Sequence, residues 1–261
     1  MTDWFLGTMG FSYKEWQDAF YPAALSSRNY LSYYSERFDA VEVDSTFYGT
    51  PRPEQMERWT AVTPDHFQFC PKTPRDITHT QRLVAVEADM SHFVETMRLL
   101  GDKLGAILIQ FPPDFTIHEQ DKLAQFMAGL PIDVRFAIEF RDTSWEVPET
   151  ADLLRQFNIA WVAADYVHLD KVVRQTADFL YLRFIGRHGQ FVEKNREQVD
   201  KTADLEQWYA QIQQHLARIE TVYGFFNNDY AGFSPATANR FKTIAGLEVK
   251  DIRIMQQGRL L

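Results

Sequence analysis

The sequence predicts a single α/β domain, a (β/α)8 TIM-barrel-like fold with a functional site at the C-terminal mouth of its strands. Eight strand-like segments recur through 261 residues, and most are separated by a segment with helical apolar spacing. Strands alternating with helices imply a parallel sheet covered by helices. Eight such units in about 250 residues match a barrel in both count and length. The competing doubly wound sheet calls for a G-x-G-x-x-G turn after the first strand, and Gly7-Thr8-Met9-Gly10 is not that motif.

The expected strands are, in order, residues 4–10, 40–46, 66–72, 105–111, 135–141, 159–165, 179–186 and 221–227. Helical spacing falls at 28–37, 53–61, 87–100, 118–129, 149–157, 203–219 and 235–245. Start signals support several of these helices. Thr116 precedes the fourth and Pro148 opens the fifth, while Ser234-Pro235 reads as an N-cap followed by proline at the first helical position. No helix fits between Asp165 and Phe179, and residues 186–202 form a long polar loop. Long loops on a compact domain are often functional, with disorder as the alternative. With no low-complexity tract, interdomain linker or internal repeat, residues 1–261 read as one domain.

Composition narrows the function classes. A chain that is 45% hydrophobic can bury a sizeable core, and 15% aromatic content supplies rings for that core, for a ligand groove or for both. The formal net charge of −9 disfavours broad nucleic-acid binding through phosphate neutralisation, though not a local basic patch. No basic segment followed by an apolar run marks a signal peptide, and the apolar runs are too short to span a bilayer. Cys70 stands alone, so no internal disulfide forms and a cytoplasmic location is expected.

The site is read from the strand ends. Side chains alternate along a strand, so Ala137, Glu139 and Arg141 share one face of the fifth strand while Ile138 and Phe140 share the other. An ion pair on an otherwise apolar strand is unfavourable to bury without partners, which suggests a polar pocket at that end. The pattern repeats. Glu42, Asp44 and Thr46 share a face of the second strand, and Gln68, Cys70 and Lys72 share one of the third. The fourth strand ends at Gln110, the sixth at Asp165, and the seventh offers Tyr181 and Arg183. The eighth carries Tyr223, Phe225 and Asn227. Outward residues of a barrel meet helices and should be apolar, so this polar set is expected to point into the lumen near the mouth. Glu42, Asp44, Glu139 and Asp165 then oppose Lys72, Arg141 and Arg183. For any single residue, a structural pairing network is as good a reading as catalysis. For the set, a ligand site is favoured.

Loops add binding groups. Phe47, Tyr48 and Trp145 follow strands two and five and are placed to stack on a sugar or base, with packing under loops as the competing role. His79 follows Lys72 in a loop and is a candidate acid/base, although a lone loop histidine is more often simply solvated. Asn227-Asn228-Asp229 leads through Gly232 to Ser234, whose helix start offers free N–H groups to an anion, with an ordinary capped helix as the alternative. Gly186 would let its loop approach closely. Cys70 lacks an obvious His partner, and no G-x-S-x-G, Walker or H-E-x-x-H motif is present. Seven scattered histidines argue against an imidazole-rich zinc site. A divalent metal held by Glu42, Asp44, Glu139 or Asp165 is allowed but not indicated, and the cofactor is unassigned.

A family resemblance rests on an ordered set of motifs. These are Gly7-Thr8-Met9-Gly10-Phe11-Ser12-Tyr13 with Trp16 and Phe20-Tyr21-Pro22, and Val41-Glu42-Val43-Asp44-Ser45-Thr46-Phe47-Tyr48. Lys72-Thr73-Pro74-Arg75-Asp76-Ile77-Thr78-His79, Gln110-Phe111-Pro112-Pro113, Glu139-Phe140-Arg141-Asp142-Thr143-Ser144-Trp145 and Phe226-Asn227-Asn228 complete it. The chain resembles, nearly end to end, the YecE-like family, a domain of unknown function. The resemblance implies a TIM-barrel-like fold, an uncharacterised activity and Tyr13 among the site residues. It also brings a suggested analogy with barrel phosphodiester enzymes acting at abasic DNA. Asp44 stands where Asn is expected, Phe11 where Trp is common, and Asp142 where His is common. The last change removes a histidine that some mechanisms would need.

The leading expectation is an enzyme, a hydrolase or lyase, acting on a small polar or anionic substrate such as a phosphorylated sugar or a glycoside. Glu42 and Glu139 would be acid/base groups, with Arg141, Arg183 and Lys72 stabilising negative charge. Tyr13, Asp44, Phe47, Tyr48, His79, Gln110, Trp145, Asp165, Asn227, Asn228 and Ser234 would bind substrate. An enzyme or repair factor acting on nucleic-acid phosphodiesters is the second reading, and a non-catalytic ligand-binding barrel the third. A Schiff base at Lys72 is a variant of the first, against which paired neighbours are expected to keep the amine protonated.

Overall fold

Short apolar strands separated by turn-rich segments assemble into two all-parallel sheets in a computed structural model that describes residues 2–251. The strands are β1 (Asp3–Met9), β2 (Ala40–Val43), β3 (Gln68–Pro71), β4 (Ile107–Gln110), β5 (Phe136–Glu139), β6 (Ala160–Trp161), β7 (Ala163–Asp165), β8 (Phe179–Phe184) and β9 (Thr221–Phe226). One sheet has the order β3-β2-β1-β9-β8-β7 and the other β4-β5-β6. They meet at two seams. Thr73 N donates to Leu108 O at 2.8 Å and Gly105 N to Phe69 O at 2.9 Å, joining β3 to β4. The other seam is covalent, because β6 and β7 are separated only by Val162, whose N–H donates to Ile138 O at 2.9 Å. The expected sixth strand is therefore present but interrupted at one residue. The protein has a TIM-barrel-like α/β fold.

Helices α1 (Tyr30–Ser35), α2 (Pro53–Ala61), α3 (Glu87–Arg98), α4 (Gln120–Ala128), α5 (Pro148–Gln156), α6 (Thr202–Gln213), α7 (Asn228–Ala231) and α8 (Ser234–Ile244) connect them. Proline sits in the first turn of α2, α5 and α8, where its missing N–H removes no helical bond. α1 is shorter than the 28–37 periodicity suggests because residues 27–29 tighten into a 3₁₀ turn. No helix forms between β7 and β8, and residues 186–201 carry no regular structure. That long loop is nonetheless anchored. Gln198 N donates to Ala231 O at 2.7 Å, and Gly189 N to Asp229 at 3.1 Å. A Cβ on Gly186 would lie 2.3 Å from Asp229 O at φ +72°, so only glycine permits the approach.

Two apolar layers follow from strand alternation. Val41, Phe69, Ile109, Ile138, Leu182 and Phe226 face the helices. Met9, Ala40, Cys70, Leu108, Ala137, Ala160, Val162, Tyr181, Tyr223 and Phe225 fill the ring's interior. Alanines on one side make room for the large rings of β8 and β9, so the centre is filled below the mouth.

Candidate active site

Where the apolar filling ends, side chains from β2, β5 and β8 meet. Each is the lumen-facing residue at or near its strand's C-terminal end, and such distant strands can touch only through the interior. Arg183 is the hub. Its Nε and Nη2 fork onto the Glu42 carboxylate at 2.9 and 2.7 Å, while Nη1 donates to Glu139 Oε2 at 2.5 Å. Below it the Tyr181 hydroxyl donates to Glu42 Oε2 at 2.8 Å. The Met9 sulfur lies 3.6 Å from Arg183 Nη2. Glu42, Glu139, Tyr181 and Arg183 are all buried.

One guanidinium shared by two buried carboxylates sets them apart. Burial pushes the Glu42 carboxyl above the usual range, and Arg183 only partly offsets this. Burial acts the same way on Glu139, but the guanidiniums of Arg141 and Arg183 together outweigh it and hold the group below its usual value. Arg141 Nε faces Glu139 Oε1 in a close ion pair, yet neither atom makes a hydrogen bond of acceptable geometry among the described residues. The Arg141 guanidinium stacks over the Tyr166 ring at 4.0 Å.

Lys72, just past β3, completes the cluster differently. It is buried, and its Nζ lies 4.2 Å over the Phe47 ring. The pairing expected for it is not formed, because no carboxylate among the described residues comes within ion-pairing distance. The reason is geometric: Arg183 and Arg141 already occupy Glu42 and Glu139. Burial, reinforced by the charge of Arg183, moves the amine below its ordinary pKa despite Asp44, Glu139 and Glu42 nearby. His79, in the turn Asp76–Thr80, meets the same Phe47 ring edge-on at 5.0 Å. Its Nδ1 lies 2.8 Å from Thr78 Oγ1. Burial and then the charges of Lys72 and Arg75 lower its pKa to about 4, so the imidazole is neutral near pH 7.

The rest of the expected set divides. Asp44 stands at the rim, half-buried, 3.9 Å from Arg183 Nη2. Tyr13 donates to Met9 O, and its phenol is raised by burial and then by Asp44 and Glu42. Gln110 lies at the end of β4 with its amide bonded to Phe111 O at 2.6 Å, and Asn227 Nδ2 lies 3.6 Å from the Met9 sulfur. These four surround the cluster. Tyr48 is 87% exposed outside it.

Four residues lie elsewhere. Asp165 does not join the lumen. Its Oδ2 accepts from Trp208 Nε1 at 2.9 Å and Tyr230 OH at 3.0 Å, and its Oδ1 pairs with Lys171 at 2.8 Å, all on the helical side. Alternation explains this: Ala160, Val162 and Ala164 fill the lumen, so Asp165 shares the outward face of Trp161 and Ala163. Trp145 is fully buried, stacked on Phe140 at 4.3 Å and bonded to Phe115 O at 2.7 Å, in a turn capped by Asp142. Asn228 Oδ1 accepts from Trp16 Nε1, Ser234 N and Ser234 Oγ at 3.1, 3.0 and 2.8 Å. That lock fills the helix start expected to hold an anion. Met9 and Tyr166 went unnoticed in the sequence, although Met9 sits at period two from Gly7 and Phe5 on the lumen face of β1.

Among the described residues no three His, Cys, Asp or Glu side chains converge to hold a metal ion, because guanidiniums already occupy the two central carboxylates. No helix among them is long and apolar enough to cross a membrane.

The chain is similar to several known proteins. UPF0759 protein YecE of Escherichia coli (strain K12) is 32% identical over 111 residues, 42% of this chain and 41% of that protein. The match thus spans about two-fifths of that relative's length. UPF0759 protein YunF of Bacillus subtilis (strain 168) is 28% identical over 245 residues, 82% of this chain and 86% of that one. The crystal structure of a DUF72 family protein from Thermotoga maritima MSB8 matches with a TM-score of 0.78 and 28% identity, covering 94% of this chain and 99% of that one. Another, from Enterococcus faecalis V583, shares the fold with a TM-score of 0.74 and 23% identity, covering 95% and 99%. A family model matches residues 5–259, and the chain belongs to that family, the protein of unknown function DUF72.

Proposed function

We propose that the protein is an enzyme, a hydrolase or lyase, acting on a small polar or anionic substrate at the barrel mouth. The observation that carries this is a cluster of buried charges at the mouth in which Arg183 bridges Glu42 and Glu139 while Lys72 Nζ meets no carboxylate or hydrogen-bond acceptor among the described residues, only the Phe47 ring. Buried charges are usually paired, so an amine left without a carboxylate at the mouth of a TIM-barrel-like fold suggests a partner that arrives with a ligand. Two carboxylates whose environments push their pKa values apart also suit acid/base work. Glu42, with its carboxyl pushed up by burial, and Glu139, held below its usual value by Arg141 and Arg183, are the acid/base candidates. Arg141 and Arg183 stabilise negative charge, and Phe47, Tyr13, Asp44, Gln110 and Asn227 line the approach. The buried single thiol, Cys70, fits a reducing, cytoplasmic setting.

Identifying whatever small molecule co-purifies, by mass spectrometry of the denatured protein, supplies the substrate for the decisive variant. Glu139→Gln should lower turnover on the order of 10²–10⁴-fold while leaving Tm within a few degrees. A large fall in Tm with ligand binding unchanged would instead make the cluster structural. Salt-dependent retardation of a DNA or RNA oligomer would favour nucleic-acid phosphodiesters as the substrate.

A further inference from the structure

Among the described residues three lysines are buried, and they are treated differently. Lys103 Nζ donates to Thr60 O and Thr63 O at 2.7 Å each, and Lys242 Nζ to Asp39 Oδ2 at 2.5 Å. Both amines have acceptors. Lys72, at the same degree of burial as Lys103, has neither an anion nor a hydrogen-bond acceptor among the described residues, only the face of Phe47 at 4.2 Å. It is also the one of the three that stands at the barrel mouth, where the Arg183 and Arg141 guanidiniums are already committed to Glu42 and Glu139.

We propose that Lys72 is an imine-forming residue, and that the substrate carries an aldehyde or ketone group together with a polar or anionic group. This rests on the reading of the mouth as an enzyme active site and names the substrate class. An amine with no acceptor and a cationic neighbour is set up to act as a nucleophile rather than as a counter-ion. The lowered basicity of Lys72 agrees with that geometry. Its Nζ lone pair attacks the carbonyl carbon, forming a C–N bond while the C=O π pair moves to oxygen. The resulting carbinolamine loses its hydroxyl with a proton as one water, leaving the C=N bond. Protonated, that imine takes up the electron pair of an adjacent C–H bond while the proton passes to the Glu139 carboxylate, giving an enamine; return of a proton to carbon restores the imine, and one water hydrolyses it to the amine and the carbonyl. No oxidant or reductant is consumed.

The test is reductive trapping of the full chain. Protein is incubated with sodium borohydride and, in turn, glyoxylate, pyruvate and dihydroxyacetone phosphate, then digested and mapped by mass spectrometry. At least one carbonyl should give a borohydride-dependent adduct at Lys72, formed about tenfold or more faster than at the exposed Lys14. Lys72→Met, close in volume, should lose that adduct and keep its circular dichroism spectrum and Tm. Lys72→Arg, which retains charge, should also lose it. Modification of Lys72 no faster than of Lys14 with all three carbonyls overturns the proposal. That failure leaves the enzyme reading standing on its own test, the turnover of Glu139→Gln.

Discussion

Around Asp165, on the helical side of the strands, each oxygen has a partner: Trp208 and Tyr230 on one, Lys171 on the other. Asn228 nearby takes three donors on one oxygen. Inside the mouth the carboxylates are paired as well, Glu42 with Arg183 and Glu139 with Arg183 and Arg141, but Lys72 Nζ has no carboxylate or hydrogen-bond acceptor among the described residues. Burial and charge do not separate the two regions. Satisfaction does. A closed network converts buried polarity into rigidity, whereas an open one retains binding energy for something that arrives later.

That contrast can be broken from either side. The largest effect is expected at the hub. Arg183→Met would leave Glu42 and Glu139 buried without their shared cation, at a cost of about 3–5 kcal/mol in urea unfolding. A loss under about 1 kcal/mol would mean that the carboxylates simply protonate or that water enters. Next comes the closed network. Asp165→Ala strands Trp208 Nε1 and Tyr230 OH, and should destabilise by about 2–3 kcal/mol while leaving ligand binding at the mouth unchanged. Altered binding there would show that the two regions are coupled.

At the open side the sign should reverse. Lys72→Met removes a buried amine that nothing neutralises, so unfolding stability should stay level or rise by up to about 1 kcal/mol while function is lost. The smallest effect concerns pH. His79 folds with a pKa of about 4 against an ordinary 6.5. Between those values the unfolded chain binds the proton that the folded one refuses, so stability should rise with pH across that window. Comparing stability–pH curves of the parent and His79→Asn should show a shallower slope in the variant. Identical curves would place the histidine outside the influence of Lys72 and Arg75.

Much of this was legible in the chain. Eight strand segments and the lumen-facing positions of Glu42, Lys72, Glu139 and Arg183 follow from period-two alternation, which is local and needs no knowledge of neighbours. The same rule, applied to Trp161 and Ala163, would have turned Asp165 outward. Asp165 looks like part of the ring from the sequence only because it is a carboxylate at a strand end. The aromatic after the fifth strand misled for another reason. Trp145 follows a strand end as a ligand-stacking ring would, but Phe115, from a different connection, fills its face.

The sequence by itself determined the alternation of strands and helices, the family and the polar faces, since these depend on residues a few positions apart. Only the tertiary structure decided which charge pairs with which. Arg183 joins Glu42 and Glu139 across 141 and 44 residues, and that closure depends on the curvature of the ring rather than on any local spacing. Once those contacts form, two carboxylates have their cation and Lys72 has none. Ion pairing is exclusive in a crowded interior, and the residue left over can be identified only after the others have met.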